Sequence, residues 1–187
     1  MSSSSGFTLI EVMVVLAVVV VVLVIGAPGF QAAIANQRAN SSVNDLLTSV
    51  RLARSESIKT VRYVTVCKSD DGLTCGDAGV DWEDGWIVFV NLATPAAPAT
   101  VDTGDQIVQV YPALSANFTL RPLGTVDDFV SFRPTGSAGT TALNHSGTLT
   151  LCDPNGRART RAVIVEASGG TRVSDQVAHD GSALVCP

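Results

Sequence analysis

Sixteen consecutive residues, Val12 to Ala27, carry neither a charge nor a strong hydrogen-bonding side chain, and nine of them are valine. Counted from Phe7 the stretch is twenty-one residues long, about 31 Å as a helix, which matches a hydrocarbon core of about 30 Å. Such a segment can span a bilayer. A secretory signal peptide has a basic start, a shorter apolar core and a small-residue cleavage site beyond it. Here Met1 to Gly6 contain no Lys or Arg, and the core is too long.

One charge interrupts the segment. A carboxylate in hydrocarbon costs about 2.5 to 3.5 kcal/mol on insertion scales, so Glu11 calls for a cation, and the segment holds none. A chain terminus is the nearest alternative. Cleavage after Gly6 would create an α-amine on Phe7 four residues from Glu11, or about 6 Å along the axis, and a neighbouring helix shifted by one turn would set its own amine against the carboxylate.

Gly6-Phe7-Thr8-Leu9-Ile10-Glu11 before an apolar helix resembles the class III signal of type IV pilins and pseudopilins. The resemblance implies cleavage between Gly6 and Phe7 by the prepilin peptidase, N-methylation of Phe7, and pairing of Glu11 with a neighbour's N-terminus during assembly. Leaders of that family usually carry a basic residue, and this one has serines instead. Pro28 lacks an amide hydrogen and crowds the preceding turn, so a kink or loosening is expected there. The resemblance gives that proline a role in local melting of the helix inside a filament.

Beyond Pro28 a helical period resumes through Ile34, Val43, Leu46, Leu47, Val50, Ala53 or Arg54, Ser57 or Ile58, and Val61. Arg38, Arg51, Arg54, Lys59 and Arg62 fall largely off this stripe and read as a solvated face. The period then changes to two, and eight runs read as strands: Val61 to Lys68, Trp86 to Asn91, Ile107 to Tyr111, Phe118 to Arg121, Phe129 to Arg133, Thr148 to Cys152, Arg161 to Ala167 and Thr171 to Ser174. Ala93 to Thr100 and Thr135 to Ser146 read as long loops. The expected organisation is a leader (1–6), a transmembrane helix half (7–28), an amphipathic helix half (29–60) and a β-rich globular domain (61–187). The fold class is α+β, pilin-like, with the long N-terminal helix packed on an antiparallel β-sheet domain.

Cys67, Cys75, Cys152 and Cys186 all lie past the membrane segment, and neither His145 nor His179 neighbours a cysteine at metal-ligand spacing. Two disulfides are expected, in an extracytoplasmic domain. Cys67 with Cys75 would close a seven-residue turn, and Cys152 with Cys186 would tie down the last residues, one of three connectivities. Asp70, Asp71, Asp77, Asp81, Glu83 and Asp84 make an acidic stretch without the spacing of an EF-hand and read as a solvated loop. No metal or cofactor is expected.

Cys67-x7-Cys75, Trp82-x-x-Gly85-Trp86 and Phe132-Arg133-Pro134-Thr135-Gly136 together resemble the GspH/FimT family of minor pilins and pseudopilins. That resemblance implies a bacterial inner-membrane protein with one span and a periplasmic domain, entering a pilus with other pilin subunits. No nucleophile motif accompanies the histidines, so an enzyme with a small-molecule substrate is not expected.

A net charge of −5 argues against bulk attraction to nucleic acid. One segment runs the other way: Gly156 to Arg172 holds Arg157, Arg159, Arg161 and Arg172 against Glu166 alone. Asp153-Pro154-Asn155-Gly156 is a turn signal, so Arg157 and Arg159 should emerge at a loop tip and face the same way. Guanidiniums so placed can grip phosphates without reading bases. Gly156-Arg157-Ala158-Arg159 resembles the Gly-Arg-x-Arg motif of FimT-like pilins that bind DNA, which implies weak, non-specific contact with the DNA backbone during uptake in natural transformation. The competing expectation is a GspH-like pseudopilin of a type II secretion system.

Overall fold

The structure, a computed structural model, describes residue 6 and residues 8–93, 99–115 and 118–186, except for the side chains of 25–28. Phe7 and most of the loop expected at 93–100 lie outside that set.

One helix, α1 (Leu9–Thr60), runs for 52 residues, about 78 Å at 1.5 Å per residue. Thr8 caps it by accepting the backbone N–H of Glu11 at 3.4 Å, and Glu11 lies in the first turn, where a negative charge suits the helix dipole. The backbone stays helical through position 28. Every described side chain from Leu9 to Val24 is exposed, a band of apolar surface that water does not tolerate on a folded chain and that lipid or neighbouring helices must cover.

Past this band one face of α1 is buried, through Ala39, Val43, Leu46, Leu47, Val50 and Ala53. Ser42, Ser49 and Ser57 are buried between them. The small side chains bring the helix close to the strands. At the choices left open by the periodicity, Ala53 is buried rather than Arg54, and Ser57 rather than Ile58. The helix ends on Val61 at φ 55°, a left-handed conformation unusual for a β-branched residue, with the N–H groups of Val61 and Arg62 both directed at Ser57 O.

Eight strands follow: β1 (Tyr63–Lys68), β2 (Gly85–Asn91), β3 (Gln106–Pro112), β4 (Thr119–Gly124), β5 (Phe129–Phe132), β6 (Gly147–Cys152), β7 (Arg161–Val165) and β8 (Thr171–Ser174). They form two antiparallel four-stranded sheets, ordered β3-β2-β1-β5 and β4-β6-β7-β8. Pro122 sits within β4 and Pro112 ends β3, both edge strands, where a missing N–H need not break a ladder.

The main core joins the buried face of α1 to both sheets through Trp82, Trp86, Val88, Phe132, Leu149, Leu151 and Val163. A smaller cluster of Cys67, Ile87, Phe89, Ala99 and Phe129 lies apart from it. Each tryptophan has a partner for its N–H: Trp82 donates to Asp127 O at 2.7 Å and Trp86 to Ser49 Oγ at 2.8 Å, while the Trp86 ring stacks on Tyr111. All clustered core residues lie at or beyond Ala39. A chain beginning at Gly29 therefore keeps every clustered core residue and should fold without the apolar half of α1.

Both expected disulfides are formed, Cys67–Cys75 and Cys152–Cys186. The Phe132 to Gly136 motif is a structural corner. The Arg133 guanidinium donates to Thr140 O, Ala138 O, Leu143 O and Asn144 Oδ1. Gly136, at φ 80°, lies so close to Ile58 that an added Cβ would come within 2.7 Å of its Cδ1.

Candidate nucleic-acid interface

The loop between β6 and β7 begins directly after Cys152, so the Cys152–Cys186 bridge anchors one end of it. Asp153 then organises the turn. Its Oδ1 accepts the N–H of Asn155 at 2.9 Å, and its Oδ2 accepts those of Arg157 at 2.9 Å and Ala158 at 2.8 Å. Burial works to raise the pKa of this carboxyl, but the N–H groups of Ala158, Asn155 and Arg157 outweigh it and hold the pKa below the usual range. Gly156 takes φ 62° with its N–H on Asp153 O at 3.0 Å, closing the turn; its glycine answers to backbone conformation, since nothing lies within 4 Å of an added Cβ.

A second brace comes from α1. Asn36 Oδ1 accepts the N–H of Arg159 at 3.0 Å, and Asn36 Nδ2 donates to Arg157 O at 3.4 Å. One side-chain amide thus holds the backbone on both sides of Ala158, which turns inward against the core. Arg157 and Arg159 consequently both project into solvent. Neither has an ion pair among the described residues, whose bridges use Lys59, Lys68, Arg121 and Arg172.

The other two arginines of the segment are placed differently. Arg161 is half-buried at the start of β7, with its Nε enclosed and unpartnered among the described residues. Arg172 on β8 registers with Ile164, three positions along β7 from Arg161 and so on the opposite face of the sheet, and its Nε lies 3.6 Å from Glu166. The fold thus brings Arg157 and Arg159 together and sets Arg172 apart from them.

It adds a residue that the helical periodicity places on the solvated face of α1. Arg38 lines a cavity of about 190 Å³ with Gln31, Ile34, Ala35, Phe118, Asp153, Asn155 and Arg157. Nothing in the local sequence signals that a helix residue and a loop some 120 positions later share a cavity. Sequence reasoning likewise misses Asn36 and the carboxylate of Asp153 as positioning groups.

At the other end, Gly6 is exposed, and an added Cβ would find nothing within 4 Å. Among the described residues no packing calls for glycine there. Glu11 is exposed on the first turn of α1, and the side chain of Pro28 lies outside the described residues.

A long helix with an uncovered apolar half, its inner half packed against two antiparallel sheets, is the architecture of a membrane-anchored filament subunit of the type IV pilin class. The family model described as type II transport protein GspH matches residues 42–169, and that of the prokaryotic N-terminal methylation motif matches residues 1–27. The chain belongs to the GspH family and is a minor pilin or pseudopilin. Its fold is similar to the crystal structure of the Pseudomonas aeruginosa (strain PAO1) type IV minor pilin FimU, with a TM-score of 0.52 and 17% identity over 78% of this chain and 92% of that one. The minor pseudopilin EpsH of the Vibrio cholerae type 2 secretion system has a TM-score of 0.48 and 13% identity over 74% of this chain and 97% of its own. No curated protein matches the chain significantly. The family is one of structural subunits, not enzymes.

Proposed function

We propose that this minor pilin binds the phosphate backbone of DNA through Arg157 and Arg159 and serves DNA uptake in natural transformation. The observation that carries the reading is the pair of solvent-facing arginines without ion pairs among the described residues, on a loop held rigid by Asp153 and Asn36. A preorganised loop loses little freedom on gripping an anion, and two guanidiniums give affinity without base reading. Arg161 and Arg172 contribute only long-range charge in this scheme. Binding is weak for one subunit and grows by avidity within a filament.

The same reading includes removal of residues 1–6 after Gly6, methylation at Phe7, residence in the bacterial inner membrane through residues 7–28 with the globular domain in the periplasm, and contact of Glu11 with the N-terminus of the next subunit. The uncrowded Gly6 supports a requirement imposed by a processing enzyme. The intact mass of protein from membranes tests this; a mature chain that keeps Met1 to Gly6 in the presence of the peptidase refutes it. A second reading, a minor pseudopilin of a type II secretion system, is favoured by the description of the family that matches residues 42–169.

Titration of residues 29–187 with duplex DNA at low salt separates the two. The DNA reading expects binding that weakens with salt. In Arg157→Gln plus Arg159→Gln the slope of log K against log salt should shrink by about 2, since each phosphate that an arginine neutralises adds roughly 0.9 to it. Equal binding by both proteins, or none by the wild type, decides for the secretion pseudopilin.

A further inference from the structure

The arginine loop stands beside the part of α1 that emerges from the apolar segment. From Ala27 at the end of that segment, Gln31 is about 6 Å and Arg38 about 17 Å further along the axis, and the headgroup layer on each side of a bilayer is about 5 to 8 Å thick. Gln31, Ile34 and Arg38 share their cavity with Phe118, Asn155 and Arg157, so that cavity runs from the level where headgroups meet water, at Gln31, to about 10 Å beyond it, at Arg38. Phe30 and Ile34, 69% and 37% exposed, put apolar surface at the same level. Arg38, Arg157 and Arg159 are accessible to solvent and have no ion pair among the described residues.

The acids nearby offset them only in part. Asp153 lines the cavity and stays ionised, its oxygens held by the N–H groups of Asn155, Arg157 and Ala158. Asp45, the next acid along α1, lies two turns beyond Arg38 and lines a second cavity that Arg38 also borders, without an ion pair between the two. The whole chain carries −5, so an anionic surface repels most of the molecule and attracts this edge.

We infer that Arg38, Arg157 and Arg159 seat the phosphate of an anionic phospholipid headgroup while α1 spans the bilayer. The inference rests on the reading of residues 7–28 as a membrane span, and it uses two of the arginines assigned to DNA. The domain is thereby held upright on the membrane with its phosphate-gripping edge covered, and extraction into a filament uncovers it. Arg38 and Arg157 border the cavity beside Ile34, so their stems can lie along it while the guanidiniums extend toward the phosphates.

Sedimentation of residues 29–187 with vesicles at low salt tests the seat, comparing phosphatidylcholine with a 7:3 mixture of phosphatidylcholine and phosphatidylglycerol. Each arginine near an anionic surface is expected to raise partitioning about fivefold. With Asp153 and Asp45 offsetting two of the three arginines, the wild type should favour the mixed vesicles by roughly fivefold, and that preference should fall about fivefold in Arg38→Gln and about 25-fold in Arg157→Gln plus Arg159→Gln. Arg62→Gln, at the far end of α1, should change nothing. In detergent, native mass spectrometry of the full chain should show phosphatidylglycerol retained over phosphatidylcholine, and Arg38→Gln reducing that preference.

Partitioning that ignores phosphatidylglycerol, or that falls as much with Arg62→Gln as with Arg38→Gln, overturns the headgroup seat. Titrating the same proteins with duplex DNA separates the two readings. If the paired Arg157 and Arg159 variant stops binding DNA but still binds vesicles, the seat alone is overturned; if it stops binding vesicles but still binds DNA, the DNA reading alone is overturned.

Discussion

Acidification should loosen the domain through a single imidazole. His145 is 1% exposed, its Nδ1 accepts the Ser131 N–H at 3.0 Å, and its ring meets the edge of Phe129 with centroids 4.9 Å apart. Burial, aided by the charge of Arg133, lowers its pKa from 6.5 to about 4. The folded state thus keeps the ring neutral at pH values where the unfolded chain takes up a proton. The contribution to stability is complete above about pH 6.5 and falls as pH drops toward about 4, after which this group costs nothing more. At pH 5 the shortfall is about 2 kcal/mol, at 1.36 kcal/mol per unit of separation. Asp71, Asp153 and Asp180, whose pKa values are held below the ordinary range by hydrogen bonds from neighbouring N–H and hydroxyl groups, add little in this window, because the stability they contribute is lost only as pH falls toward and below the unfolded carboxylate value of about 3.9. Urea denaturation of residues 29–187 between pH 7.5 and 4.5 reads the slope, and NMR of the imidazole carbons reads the titration directly. His145→Asn, whose side-chain oxygen can take the Ser131 N–H, should flatten the profile. A His145 signal titrating near 6.5 in the folded protein, or equal stability at pH 7 and pH 5, refutes the reasoning.

Three substitutions probe other parts of the frame. Val61→Gly relieves a left-handed β-branched residue that is 72% exposed; set against the greater freedom of glycine when unfolded, a gain of up to about 1 kcal/mol is expected in urea melts, and destabilisation would contradict the strain argument. Ser49→Ala removes the acceptor of the buried Trp86 N–H and should cost about 1 to 3 kcal/mol with unchanged near-ultraviolet packing signals elsewhere, whereas a neutral result means that water replaces the hydroxyl. Cys152→Ser with Cys186→Ser opens a loop with a sequence separation of 34 and should cost about 4 kcal/mol in the loop-entropy treatment, more than the corresponding pair at Cys67 and Cys75; the reverse order would show that the acidic turn depends more on its bridge.

The strands were legible because each is a period-two run between turn residues, and all eight appear within a few residues of their expected bounds. The largest shift is at Pro122. A proline ended the fourth run in the sequence, yet β4 continues to Gly124 because an edge strand does not need that amide. The division into two sheets was not legible, since it depends on pairings such as β1 with β5, set by distant registers rather than local pattern. The buried face of α1 was read from its aliphatic residues, while Ser42 and Ser49 escaped because a polar side chain gives no burial signal until its partner is known. At the candidate site the turn and the common direction of Arg157 and Arg159 followed from local chemistry. Asn36 and Arg38 could not be seen, because their contribution arises only when the helix meets the loop.

The face of α1 that fills the core belongs to the same continuous helix as the apolar half, with no joint between anchor and domain. Force applied to the anchor when a subunit is drawn out of a bilayer, or when a filament is stretched, travels along that axis into the seam between Ala39 and Ser57. The seam is loaded lengthwise, so the packing of Val43, Leu46, Val50 and Ala53 and the hydrogen bond from Trp86 to Ser49 must slip together instead of opening one by one. Resistance to pulling is then governed by the rate of that collective slip, and the small serines and alanines of the seam, which let helix and strands approach closely, also make the domain a mechanical extension of its anchor.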